Sequence, residues 1–261
     1  MPSDGNIRAI SRALTVLQVV NHHRSLSMMA IAKHTDLPYP TAFRIVETLI
    51  ESGMIEREVT RKHYRPTRLV TTLSVGFQEE DTLAEVSRQH IVNLTRELRW
   101  PISVCTRVGM SMMLRESTHA IAPFTLNVYH PGYTLPLLDS SSGKAYIAFS
   151  DKTEQEEVLE HVRRTNAANA PRLVPRLQAM LSDIREKGYS IQDRLKHTAN
   201  PGKTSAISVP IMGGKNCEGT VTLAFFCSTM TLPHAIESYF PAIRETAENI
   251  SKDLAAARTT H

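Results

Sequence analysis

A chain of 261 residues, 41% hydrophobic and 21% charged, is long enough for two ordinary globular domains, and this balance excludes a disordered or fibrous protein. No apolar run approaches the roughly 20 residues that cross a membrane, and residues 1–12 lack the apolar core of a signal peptide, so a cytoplasmic protein with no membrane partner is expected. The net charge of +4 is concentrated in one segment: residues 1–70 hold ten Lys or Arg against six acids, while the rest of the chain holds 20 of each, an asymmetry that suits one part meeting a polyanion.

In chain order, Ile7, Ile10, Leu14, Leu17 and Val20 recur at helical spacing and predict a first amphipathic helix. Ser27 is placed to cap a short second helix over residues 28–34. Thr35-Asp36-Leu37-Pro38 reads as a turn. Pro40 then fits the first turn of a third helix, with Ala42, Ile45, Val46 and Leu49 as its buried stripe and Gly53 as its stop. Residues 54–57 and 63–66 read as two short strands joined by a basic loop. Three helices and a β-hairpin in about 65 residues is the plan of a winged helix-turn-helix.

A helical stretch from residue 67 to 77 predicts a linker, followed by a helix over 83–98. Strands are expected at 102–108, 111–116 and 124–129, a turn into a helix at 140–149, and helices at 153–163 and 174–187. Strands resume at 189–193, 204–211 and 220–226. A last helix places Ile236, Phe240, Ile243, Ala247, Ile250 and Leu254 on one face. Helices flanking a mainly antiparallel sheet make the class α+β. The expected domains are 1–66, a DNA-binding winged helix-turn-helix; 67–79, a linker helix; and 80–261, the sheet domain.

The reading helix of such a motif meets base edges with its N-terminal residues. Thr41 suits a phosphate or a base, and Arg44 suits bidentate pairing with guanine. Tyr39 and Pro40 stand at the helix entry, where the helix N-terminus itself attracts a phosphate. In the wing, Arg57, Arg61, Lys62, His63 and Arg65 surround Glu58, a composition for a phosphate backbone or minor groove. Read blandly, the same charges are only the solvated face of a small helical domain.

These stretches and several further on resemble the IclR family of bacterial transcription regulators. The resemblance is carried by Ile10-Ser11-Arg12-Ala13-Leu14, by Leu37-Pro38-Tyr39-Pro40-Thr41-Ala42-Phe43-Arg44, and by Leu49-Ile50-Glu51-Ser52-Gly53. In the second half it is carried by Leu135-Pro136-Leu137-Leu138, Ser142-Gly143-Lys144-Ala145, Arg185-Glu186-Lys187-Gly188-Tyr189 and Ala206-Ile207-Ser208-Val209-Pro210-Ile211. Trp100-Pro101, Arg115-Glu116-Ser117-Thr118-His119 and Tyr146-Ile147-Ala148-Phe149 carry a narrower likeness to the MhpR-like branch, activators of phenylpropionate-type aromatic catabolism. The resemblance implies a GAF-like effector domain and a homodimer or tetramer on a palindromic double-stranded operator. It also implies an effector pocket at Phe124, Asn127, Leu135, Ser141, Ser142, Asp193, Thr204, Ala206 and Ala224. Many relatives have a Cys where Thr204-Ser205-Ala206 stands, and smaller or apolar residues in place of Ser141 and Ser142.

The local chemistry agrees with an anion site. Ser140-Ser141-Ser142-Gly143 precedes a helix, so free N–H groups and three hydroxyls converge to receive a carboxylate. Thr204 or Ser205 adds a polar contact, and Phe124, Leu126, Leu135 and Phe226 supply walls for a ring. The expected effector is therefore a small organic acid of aromatic type, and the expected role is control of a catabolic operon. The alternative for the serines is an ordinary N-cap without ligand, and Tyr129 and His130 fit a sheet surface as well as a pocket.

Cys105, Cys217 and Cys227 are scattered and show no CxxC spacing, against a disulfide framework or structural zinc. No cofactor or metal is expected. Without a Gly-x-Ser-x-Gly elbow, HExxH or Walker motif, an enzyme is not expected. The rival readings are a regulator whose C-terminal domain only oligomerises and, more remotely, a small-molecule hydrolase.

Overall fold

The computed structural model describes residues 7–75, 82–196, 198 and 201–259. The chain divides into two compact units, Met1–Glu80 and Asp81–His261. No helix among the described residues is long and apolar enough to cross a membrane.

In the first unit, α1 (Arg8–His23) buries Val16, Leu17 and Val20, while Ile7, Ile10 and Leu14 at its start stay more than half exposed. Ser27 caps α2 (Met28–Thr35), its Oγ accepting the Ala30 N–H at 3.3 Å. Asp36 ends that helix at φ +52°, a left-handed position that a short polar side chain tolerates. α3 (Tyr39–Glu51) starts with Pro40 in its first turn and buries Ala42 and Val46; Gly53 follows it at φ +73°. The strands β1 (Leu26–Ser27), β2 (Ile55–Arg57) and β3 (His63–Pro66) form an antiparallel sheet in the order β1-β3-β2. Tyr64, opposite both Leu26 and Arg57, joins a core of Val16, Val20, Ile31, Val46 and Ile55. This is a winged helix-turn-helix. The strand β1 carries too short a pattern to be read from sequence.

The linker expected as a helix over 67–79 takes a tighter form. Residues Arg68–Ser74 make a 3-10 run, capped by Thr67 Oγ accepting the Leu69 N–H at 3.1 Å. Thr71, Thr72 and Ser74 donate their hydroxyls back to carbonyls three residues earlier, which favours the tighter turn over an α-helix. Residues 76–79 lie outside the described residues.

The second unit is a six-stranded antiparallel sheet in the order β6-β5-β4-β9-β8-β7. Its strands are β4 (Ile102–Val108), β5 (Ser111–Ser117), β6 (Thr134–Pro136), β7 (Ser190–Gln192), β8 (Thr204–Gly213) and β9 (Asn216–Phe226). Alternation along each strand gives the sheet two different faces. Ile102, Val104, Ile207, Val209, Ile211, Val221, Leu223 and Phe225 form an aliphatic face that packs against Ile91 and Leu94 of α4 (Thr82–Leu98) and Ile243, Ala247, Ile250 and Leu254 of α8 (Leu232–Thr259). The opposite face receives α5 (Ser141–Phe149), behind which α6 (Lys152–Thr165) and α7 (Ala170–Lys187) pack through Val158, Leu181 and Ile184. The architecture is the α+β, GAF-like one expected. The strand expected at 124–129 is absent: that stretch belongs to an irregular crossing between β5 and β6, and the sheet edge is β6 instead. Pro123 and Pro131 flank the stretch, and its apolar residues Phe124, Leu126 and Val128 alternate without pairing, all about half exposed.

Candidate functional site

Two surfaces have chemistry to offer, one in each unit. On α3, burial of Ala42 and Val46 turns Tyr39, Pro40, Phe43, Arg44, Glu47 and Thr48 outward, while Thr41 is half-buried. Tyr39 and Phe43, one turn apart, stack with ring centroids 6.4 Å apart. Phe43 is 41% exposed, a large apolar side chain displayed on the face that presents Arg44. Sequence reading passed over it; its spacing of four from Tyr39 was the available signal.

The wing residues divide into free and tied. Arg57, Arg61 and Lys62 are exposed around the hairpin tip. Arg65 pairs with Glu56 at 2.6 Å, but both side chains are about half exposed, so the pair is readily exchanged for a phosphate. His63 is tied: its Nδ1 lies 3.1 Å from Ser25 Oγ, and that hydroxyl donates to Glu58 at 2.6 Å. The imidazole thus braces the wing against the end of α1 and is partly buried. Behind it His22, His23 and His34 cluster, with centroids 4.9 and 4.5 Å apart. Burial, then mutual repulsion, pushes His22 and His23 below the usual imidazole range.

In the second unit, a cavity of about 70 Å³, room for several water molecules, lies between the sheet, the start of α5 and the β5–β6 crossing. Its wall includes Phe124, Leu126, Asn127, Leu135, Ser140, Ser141, Ser142, Thr204, Ala206, Ala224 and Phe226. Three expected residues are not part of it. Gly143 seats α5: a Cβ there would run into the Leu137 carbonyl, so only glycine lets the helix approach so closely. Ser205 pairs with Phe225 on the other face of the sheet, as alternation demands, and donates to Asp193 Oδ1 at 2.7 Å. Asp193 and Ser205 therefore face a separate surface groove bordered by residues 227–233.

The wall also holds groups that sequence reading missed: Ser103, Cys105, His119, Tyr133 and Thr222, together with Tyr129, which it left open. Ser103 and Thr222 share strand phase with Cys105 and Ala224, so the alternation of β4 and β9 was the available signal. Cys105 is buried and its thiol is pushed up to about 12, so it stays protonated. Among the described residues no Lys or Arg contributes to the wall.

The start of α5 is organised by hydroxyls. Ser140 Oγ accepts the Gly143 N–H at 3.1 Å and the Ser142 hydroxyl at 3.2 Å. Ser208 donates to Ser141 at 2.8 Å and lies 2.8 Å from the Thr222 hydroxyl. With the Ser208 proton committed to Ser141, Thr222 donates to Ser208. The protons of Ser140 and Ser141 are left to donate elsewhere, beside the N–H groups of the first helical turn that have no intrahelical acceptor. Chemically this is a donor-rich, cation-free corner next to aromatic walls. It suits an anion carried on an apolar body.

Comparison with known proteins gives the same division. Residues 9–59 match the IclR helix-turn-helix domain, and residues 78–252 match the C-terminal domain of bacterial IclR transcriptional regulators. The HTH-type transcriptional regulator TsaQ1/TsaQ2 of Comamonas testosteroni is 22% identical over 97% of this chain and 91% of its own. Among solved structures, an IclR-family regulator from Brucella abortus aligns with a TM-score of 0.65 at 22% identity, covering 96% of this chain and 94% of its own. An IclR homologue from Microbacterium hydrocarbonoxydans, crystallised with 4-hydroxybenzoate, aligns with a TM-score of 0.61 at 20% identity, covering 95% and 99%. With both domains matched in order along most of its length, the chain belongs to the IclR family of bacterial transcriptional regulators.

Proposed function

We propose that this regulator reads a palindromic double-stranded operator as a homodimer or tetramer, and that a small aromatic acid bound in the cavity adjusts its grip on a catabolic operon. In this reading residues 1–66 bind DNA, 67–79 link, and 80–261 sense the effector. α3 enters the major groove through Tyr39, Pro40, Thr41 and Arg44, and the wing cations Arg57, Arg61, Lys62 and Arg65 engage the backbone. The exposed Ile7, Ile10 and Leu14 of α1 and Leu69 and Leu73 beyond the wing are the apolar surface available for pairing subunits.

The observation that carries the effector reading is the donor-rich corner at Ser140, Ser141 and the first turn of α5, set against Phe124, Leu135 and Phe226 in one cavity. A carboxylate there is bound by fixed dipoles, and the ring replaces water against apolar walls. That a homologue of similar fold binds 4-hydroxybenzoate supports the class, as does the sequence likeness to activators of phenylpropionate-type catabolism.

Isothermal titration of the full-length protein against benzoate and its derivatives tests this. The wild type should bind at least one of them. Ser142→Glu, which sets a fixed carboxylate in the corner, should weaken binding about 100-fold through like-charge repulsion, with a circular-dichroism melt confirming the fold. Equal affinity in both proteins would remove the site.

A further inference from the structure

The cavity floor has a second polar end. Strand register places Ser117, Ser103, Thr222, Ser208 and Ser190 side by side across β5, β4, β9, β8 and β7, a row of five hydroxyl residues. At the β8 position the row meets α5 through Ser208 and Ser141. At the β5 position, three strands away or roughly 14 Å at strand spacing, Ser117 Oγ holds His119 Nδ1 at 2.8 Å and accepts its backbone N–H at 3.3 Å.

His119 is 6% exposed and belongs to the cavity wall. Its ring meets Tyr129 edge-on at 5.0 Å, and Tyr129 meets Tyr133 at 4.5 Å, both also in the wall. The Ser117 contact at Nδ1 orients the ring, and among the described residues no protein group pairs with Nε2. A buried imidazole nitrogen left against an apolar ligand surface is unfavourable, whereas one that meets a matching ligand group discriminates strongly in its favour.

We propose that His119 is a specificity-determining residue that hydrogen-bonds a ring hydroxyl, so that the effector class is a hydroxylated aromatic monocarboxylate. This rests on the reading that the carboxylate sits at Ser140 and Ser141; a ring with the two groups on opposite sides then carries its hydroxyl toward the His119 end of the cavity. Burial, followed by repulsion from His130, pushes the imidazole down to about 4. It is therefore neutral and serves a neutral hydroxyl. It offers no countercharge to a second carboxylate, which would lie in a cavity where no described residue of the wall is Lys or Arg.

The test is a titration series on the full-length protein with benzoate, 3- and 4-hydroxybenzoate, and terephthalate. The wild type should favour one hydroxybenzoate over benzoate by about tenfold or more, with terephthalate weakest. His119→Phe, close in size but without nitrogen, should bring the hydroxybenzoate and benzoate affinities together, and His119→Gln should retain part of the preference. A wild type that binds benzoate and hydroxybenzoates alike, or prefers terephthalate, overturns this inference and leaves the aromatic-acid reading standing. A preference undiminished in His119→Phe overturns it equally. No binding of any acid overturns the parent reading and this inference with it. The wild-type series alone decides if His119→Phe does not fold.

Discussion

The two proposed sites of this chain are built to meet anions with opposite materials. The proposed DNA-reading surface displays Arg44, Arg57, Arg61 and Lys62 in water, whereas the cavity wall holds hydroxyls, helix N–H groups and a buried imidazole, and among the described residues no Lys or Arg. A surface that must meet a long polyanion gains from mobile charges that displace counterions. An enclosed site would have to desolvate such charges, and fixed dipoles bind a single carboxylate without that penalty.

Salt should separate the two sites most sharply. Raising salt from about 50 to 200 mM should weaken operator binding on the order of 10³-fold, as expected for an oligomer with several phosphate contacts. Effector affinity over the same range should change by less than about twofold, because the buried site is little screened. Fluorescence anisotropy and calorimetry at matched salt measure both, and equal slopes would break the contrast.

Acid should destabilise the fold around the cavity. His119 titrates near 4 when folded against about 6.5 unfolded. The unfolded chain therefore binds the extra proton first, and stability present above pH 6.5 is lost as pH falls toward 4. The loss is about 3 kcal/mol by linkage. Urea unfolding of wild type and His119→Gln at pH 7 and 4.5 should show a flatter dependence in the variant. His22 and His23 are lowered in the same direction, by burial and then by the neighbouring histidines, so falling pH also costs stability in the first unit.

How far each site could be read from the sequence follows from how it is built. The reading surface is local. Ser27, Pro40 and Gly53 punctuate consecutive helices, and exposure on α3 follows from the burial of Ala42 and Val46. The cavity is assembled by register between strands more than 100 residues apart, such as Ser103 beside Thr222. The helix start at Ser140 was visible, but the face on which Ser205 lies was decided by its pairing with Phe225. One position of phase separates Thr204 and Ala206 in the cavity from Ser205 outside it. His119 escaped because it lies just beyond the end of β5 in an irregular crossing, where no period constrains a side chain. The helical run after the wing was legible, but its 3-10 form follows from hydroxyl-rich turns that compete with the α-helix through hydrogen bonds to their own backbone.

Smaller effects test each side of the contrast separately. Arg44→Ala should cost about 1–3 kcal/mol in operator binding and relax one base position, visible when binding to a panel of point-substituted sites is compared. Unchanged affinity and preference would move the reading residues off this face of α3. Lys62→Ala should weaken all sequences alike and lower the salt slope by about one unit; a sequence-dependent loss would make the wing a base reader.

The central claim is that an acid in the cavity changes the grip on DNA, and it is tested most directly by measuring operator affinity with and without saturating effector in wild type and in Ser142→Glu. A coupling of about 1–3 kcal/mol predicts a 5- to 150-fold change in the wild type, with DNA binding intact and the change absent in the variant. A wild type whose operator affinity ignores the bound acid, or a variant that responds as the wild type does, would contradict the account.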